Sequence, residues 1–261
     1  MKTINHLKQD QPDLTEYHLE PERSDSIPYA NRDQARRGLP DQSDFYFSLE
    51  AGWQSSFHPT SRCWQDFHLP SGWESKQVFA HFQRVESAIG VWVNDQWAGS
   101  ALGGNKRAEF NITNALQPGQ NRIEVEFSSG VNCNPAIHLW AVAAIHLRDF
   151  RITTVPGDDA SWEIIIQPVM RNLGTKLALN HRIETMLFDA RGIPVWIGPL
   201  GVMVSIEAGA EISAAFSYRL KKARPWSPED PYLYTLILEM RDADGTLLDL
   251  RSARVGFGQR T

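Results

Sequence analysis

The chain is short of several things that a sequence of 261 residues commonly carries. Cysteine occurs twice, at Cys63 and Cys133. That is too few for a disulfide framework and lacks metal-ligand spacing, so both are expected as buried thiols. No window approaches the roughly 18 apolar residues of a membrane-spanning helix. Met1 to Glu20 is polar, without an apolar stretch of signal-peptide length, so a soluble, cytoplasmic chain with no membrane partner is expected. Positive charge is in deficit: 26 Lys plus Arg against 31 Asp plus Glu leave a net charge of −5. No basic surplus exists to neutralise phosphates, which excludes nucleic acid as a partner. The eight histidines are scattered, with no H-x-x-x-H on a helix, and neither a metal nor another cofactor is expected.

What the chain does have is strand alternation punctuated by turn chemistry. Val91, Trp92 and Val93 run into Asn94-Asp95, a dipeptide that tolerates positive φ, and Trp97 resumes the apolar character beyond it, which predicts a hairpin. Phe110 and Ile112 alternate with Asn111 and Thr113. After a Pro118-to-Asn121 turn, Ile123, Val125 and Phe127 alternate with Arg122, Glu124 and Glu126. Antiparallel strands with one wet face each are the expectation, and Glu124 and Glu126 are expected to point together into water. Farther on, Trp162, Ile164 and Ile166 alternate, as do Ile183, Thr185 and Leu187 before the turn Asp189-Ala190-Arg191-Gly192. Turns every dozen or so residues are the spacing of a β-sandwich.

The same residues carry a family resemblance. Phe82, Val85, Ser87-Ala88, Val91 to Asn94, Gly99, Ala108 to Thr113, Leu116, Pro118-Gly119 and Asn121 resemble the sugar-binding domain of glycoside hydrolase family 2, the β-galactosidase and β-glucuronidase family. Arg84 stands where that family usually has Gly, and Asp95 where it has the hairpin Gly. Two stretches, Glu74 to Ala80 and Ser128 to His146, are shorter than their counterparts, which in the family carry loops that reach the sugar pocket of the neighbouring catalytic domain. Ile27-Pro28-Tyr29 and Arg32 to Arg37, with a short helix near Asp33 to Arg37, resemble an amino-terminal segment that packs on the first domain. Arg148 to Ile152 resembles the opening of the family's immunoglobulin-like domain. Pro225 to Tyr234 resembles its L-W-S-x-E-x-P-x-L-Y motif, and Val255-Gly256-Phe257 the V-G-F-R that leads into the catalytic barrel, with Gly258 in place of Arg.

The resemblance implies an all-β chain: an extended arm over residues 1–40, a jelly-roll-like, galactose-binding-domain-like sandwich over 41–146, and an immunoglobulin-like β-sandwich over 147–261. It implies the non-catalytic amino-terminal region of a β-galactosidase-like enzyme, the alternative being a stand-alone carbohydrate-binding or structural module. The family's acid/base and nucleophile are two glutamates on a barrel that these residues do not include, so no residue here is assigned a catalytic role and the chain alone is expected to be inactive. A β-galactoside-type carbohydrate, a catalytic barrel domain or subunit, and a second copy of the chain are the partners left in play.

The sugar-contacting candidates are Asn94, Trp97, Asn132 and Asn134, although Asn94 and Asp95 read first as turn chemistry. Of the nine tryptophans, Trp53, Trp64, Trp73, Trp92, Trp140 and Trp226 sit where packing is expected, and Trp97, Trp162 and Trp196 are less determined. Trp226 in particular is expected to be buried, because three prolines make its corner rigid.

Overall fold

The computed structural model describes residues 20, 26–49, 51–56, 61–128, 135–196 and 200–258. The chain divides into two compact units. One comprises Met1–Glu22, Ser48–Glu74 and Val78–Leu139, the other Arg23–Phe47, Ser75–Gln77 and Trp140–Thr261. Almost every element is a strand. In chain order they are α1 (Arg32–Arg37), β1 (Tyr46–Ser48), β2 (Gln54–Ser56), β3 (Ser61–His68), β4 (Gln77–Val85), β5 (Ile89–Val93), β6 (Gln96–Ala101), β7 (Lys106–Asn111), β8 (Gln120–Phe127), β9 (Ile137–Val142), β10 (Ile145–Pro156), β11 (Trp162–Asn172), β12 (Ala178–Phe188), β13 (Leu200–Ile206), β14 (Glu211–Ser213), β15 (Phe216–Leu220), β16 (Tyr234–Arg241) and β17 (Leu247–Val255).

In the first unit a five-stranded antiparallel sheet has the order β2-β3-β8-β5-β6, and β4 pairs antiparallel with β7 in another sheet. The expected hairpin forms. Val93 pairs with Gln96, and Asn94 and Asp95 take φ of 49° and 62°, both left-handed, as a two-residue turn matched to strand twist requires. Period-two alternation decides what is buried: Cys63, Val91, Val93, Ile123 and Val125 are fully enclosed while Arg122 lies outside. Phe82 and Phe110 meet edge to face at 5.6 Å. Cys63 is not the free thiol expected from composition: it is disulfide-bonded, and no free cysteine occurs among the described residues. Cys133 lies outside the described residues.

The second unit packs one sheet of β10, β11, β14 and β15 on another of order β13-β12-β16-β17. Ile164, Ile166 and Met170 of β11, Ile183 and Leu187 of β12, and Leu236, Leu238 and Met240 of β16 fill the space between them, with Phe257 and Trp196. The Asp189 turn forms as expected. Gly192 takes φ 80° and donates its N–H to Asp189 O at 2.9 Å, while Asp189 Oδ1 accepts from Arg191 N at 2.9 Å and Ile193 N at 2.8 Å.

The amino-terminal segment departs from the family's implied placement. Residues 26–43 belong with the second unit, not the first. Tyr29 N donates to Leu250 O at 2.9 Å, Arg251 Nη1 donates to Ser26 O, and α1 lays Arg32 against Glu239. The physical cause is charge. Glu239 and Arg251 are almost wholly enclosed on β16 and β17, and a buried charge needs partners within reach.

Candidate functional site

Strand register gathers a polar and aromatic face on the outer side of the five-stranded sheet. Gln54, Trp64, Glu124, Trp92 and Trp97 stand opposite one another in a single row across all five strands. In the next row Arg62 stands opposite Glu126, and Glu126 opposite Gly90. Because the inward positions of β3, β5 and β8 are taken by Cys63, Val91, Val93, Ile123 and Val125, these alternate residues must face outward.

Arg62 is the hub of that face. Its Nη1 lies 2.6 Å from Glu124 Oε1 and its Nη2 2.6 Å from Glu126 Oε2, and its guanidinium lies 5.4 Å from the Trp92 ring centroid. The two glutamates are therefore half-buried and ion-paired, not solvated as alternation alone implies. Burial pulls the Arg62 pKa down, but hydrogen bonds and charge from both glutamates together outweigh it and raise the pKa above its ordinary value. Trp92 and Trp97 meet edge on at 4.7 Å, folded over Gly90; a methyl group at residue 90 would lie 2.8 Å from Trp92 Cη2 and 3.1 Å from Trp97 Cζ3. Trp64 is half-exposed, its indole N–H held by Gln54 Oε1 at 3.1 Å. One row along, Arg122 and Asp66 form a two-pronged pair at 2.7 and 3.0 Å, and their hydrogen bonds hold the Asp66 carboxyl below its usual range.

The sugar-contacting candidates fare differently. Asn94 spends its amide on the scaffold: Nδ2 donates to Ala115 O and Asn121 Oδ1, both at 2.8 Å, and Oδ1 accepts from Arg122 N at 2.9 Å. Trp97 is on the outer face, yet its Nε1 is enclosed with no hydrogen-bond partner among the described residues. Asn132 and Asn134 lie outside the described residues. Arg62 and Trp64 were not among the candidates, although the spacing of Arg62 and Trp64 on one strand and of Glu124 and Glu126 on another was the available signal. No group of three or more His, Cys, Asp or Glu residues placed to hold a metal occurs among the described residues.

The second unit has an open groove of about 1140 Å³ lined by Arg151, Thr154, Trp226, Leu233, Arg254 and Gly256, among others. Trp226 is 37% exposed there, which corrects the expectation that it is buried. Its corner is rigid by other means: Trp226 N donates to Phe257 O at 2.8 Å, Arg224 grips Asp230 at 2.8 and 2.9 Å, and Tyr234 Oη accepts from Arg224 N at 2.8 Å. The tryptophan then lies over Gly256 and Gly258, where a methyl group would meet Trp226 Cβ at 3.2 Å and Trp226 O at 2.8 Å. The prolines shape the corner; the core behind it is filled by Tyr234 and Phe257, which meet at 5.0 Å.

Comparison with known proteins bears on both units. A β-galactosidase of Priestia megaterium is 28% identical over 220 residues, covering 78% of this chain and 21% of that protein. One from Clostridium acetobutylicum is 26% identical, covering 77% and 23%. The chain therefore spans about a fifth of the length of these relatives. Among solved structures, a β-glucuronidase of Bacteroides uniformis shares the fold with a TM-score of 0.69 at 16% identity, covering 81% of this chain and 32% of that one. A Bifidobacterium dentium β-glucuronidase complexed with coumarin-3-O-glucuronide gives a TM-score of 0.63 at 18% identity, covering 84% and 49%. The pattern described as the sugar binding domain of glycosyl hydrolases family 2 matches residues 19–156, and that of glycosyl hydrolases family 2 itself matches residues 145–257. With the two β-sandwich units and the glycosidase relatives, these matches place the chain in glycosyl hydrolases family 2.

Proposed function

We propose that this chain is the non-catalytic amino-terminal portion of a β-galactosidase-like glycosidase, a pair of sandwiches that braces a catalytic domain carried elsewhere. The observation that carries this reading is the fate of the two glutamates that share a face. A retaining glycosidase needs two carboxyl groups about 5–5.5 Å apart with a sugar between them. Glu124 and Glu126 instead share one arginine, at 2.6 Å each, on a sheet surface. So paired, they form an ion-pair cluster on the sheet, and neither is assigned a catalytic role. The match to about a fifth of each relative's length supports the same reading. Within it, the first unit corresponds to a jelly-roll-like sandwich, and a β-galactoside-type sugar is the ligand class. The disulfide at Cys63 favours an oxidising compartment over the cytoplasm, because thiols are kept reduced there.

Purified chain assayed with nitrophenyl β-galactoside, β-glucuronide and β-mannoside is expected to show no turnover above buffer. Turnover that survives further purification and disappears in Glu124→Gln would overturn the reading.

A further inference from the structure

We propose that the outer face of the five-stranded sheet binds an extended, neutral, β-linked oligosaccharide laid across β3, β8 and β5, with the Trp64 ring as its stacking platform. Only the ligand class rests on the family reading; the site rests on geometry.

Three of the five positions in the row Gln54, Trp64, Glu124, Trp92 and Trp97 are aromatic. Neighbouring strands lie about 4.8 Å apart, so Trp64 and Trp92, two strands apart, are separated by about 9.5 Å along the row, roughly the length of a disaccharide. A sugar ring offers an apolar C–H face to an indole and hydroxyl groups around its rim. The rim needs acceptors as well as donors. Glu124 and Glu126 each give Arg62 one oxygen. Each carboxylate keeps lone pairs beyond its contact with Arg62, so both accept from sugar hydroxyls beside the row, with the Arg62 guanidinium as donor.

Charge decides against an acidic sugar. Glu124, Glu126 and Asp66 face Arg62 and Arg122, so the surface has no positive excess to attract a carboxylate or sulfate. Rigidity favours binding too. Trp64 is tethered by Gln54, and Trp92 and Trp97 are seated on Gly90, so little side-chain freedom remains to be lost. Arg62 already covers Trp92, which leaves Trp64 as the open ring.

The test is affinity electrophoresis of the whole chain through gels containing soluble β-1,4-galactan, β-glucan or xylan, followed by calorimetric titration with β-1,4-galactotetraose. The wild type is expected to be retarded by at least one polymer. Trp64→Ala is expected to bind about tenfold more weakly with an unchanged melting temperature, as loss of one stacking contact implies. Glu124→Gln should also weaken binding, and Trp226→Ala, in the other unit, should not. Failure of all three polymers to retard the wild type, or undiminished binding by Trp64→Ala, overturns the proposal. Loss in Trp226→Ala alone moves the ligand to the second unit and overturns it equally. Hydrolysis by the chain would sink the non-catalytic reading without touching this one.

Discussion

Arg32 and Glu239 stand 207 positions apart in sequence and are clasped together in the fold. Arg32 Nη2 donates to Glu239 Oε2 at 2.9 Å and its Nε to Oε1, while Arg241 Nη2 reaches Oε2 at 2.7 Å. Glu239 has no exposed side-chain surface, whereas Arg32 is half in water. A glutamate in the middle of a sheet is thus neutralised in part by a helix of six residues near the start of the chain.

Removing that partner leaves Glu239 to Arg241 alone. Arg32→Ala is expected to destabilise the second unit by about 1–3 kcal/mol, less than a full buried-charge penalty because one arginine remains and Arg32 is partly solvated. Urea unfolding followed by circular dichroism measures it. A change within error would mean that water replaces the guanidinium without loss.

The same pair has a pH signature. Burial pushes the Glu239 pKa up, but hydrogen bonds and charge from Arg32 and Arg241 outweigh it and hold the carboxyl below its usual value. A depressed carboxylate stabilises the fold above its unfolded pKa, about 4.3, and that stability drains away as pH falls through the folded value. The gap between wild type and Arg32→Ala is therefore expected to be full at neutral pH and to narrow below about pH 4. An equal gap at pH 7 and pH 3 would show that packing, not charge, is responsible.

Trp226 calls for a smaller number than a buried indole would. Because it is 37% exposed and lies over two glycines, Trp226→Ala is expected to cost about 1 kcal/mol, not the roughly 3–5 kcal/mol of a core aromatic. Guanidinium titration of the whole chain, following the second unit, checks this. A loss in the core range would mean that the indole is enclosed in solution.

Gly201 has no room for a side chain. A Cβ there would lie 1.6 Å from Ile183 O on the neighbouring strand. Gly201→Ala is expected to displace β13 from β12 and cost more than about 3 kcal/mol. Hydrogen exchange of the β12 amides is the direct readout: protection equal to wild type would show that the strands accommodate the methyl group.

Cys63 is expected to resist alkylation in the unreduced, unfolded chain and to react after dithiothreitol. Reduction should also destabilise the first unit by about 2–4 kcal/mol. Quantitative labelling before reduction, read by mass spectrometry, would restore the two-thiol expectation.

Much of the fold was legible along the chain because it depends on neighbours one to four residues apart. Ile123 and Val125 alternate with charged residues, and they are buried. Asn94-Asp95 tolerates positive φ, and the hairpin turns there. Asp189 to Gly192 pairs an Asx side chain with a left-handed glycine, and the turn closes. The face of the first sheet was half legible: period two put Glu124 and Glu126 on one side, but nothing local said that β3 would lie next to β8 and bring Arg62 between them.

What the linear pattern determined was thus the strands, their turns and the all-β class, since steric and hydrogen-bonding preferences of adjacent residues suffice for these. What only the tertiary structure decided was partnership. Arg32 meets Glu239, Arg251 meets Ser26, Trp64 stands in line with Trp92 and Trp97, and Trp226 lies partly exposed over Gly256 and Gly258. Each of those outcomes depends on which strands become neighbours and on how much room the core has left, quantities that belong to the packed chain and to no single stretch of it.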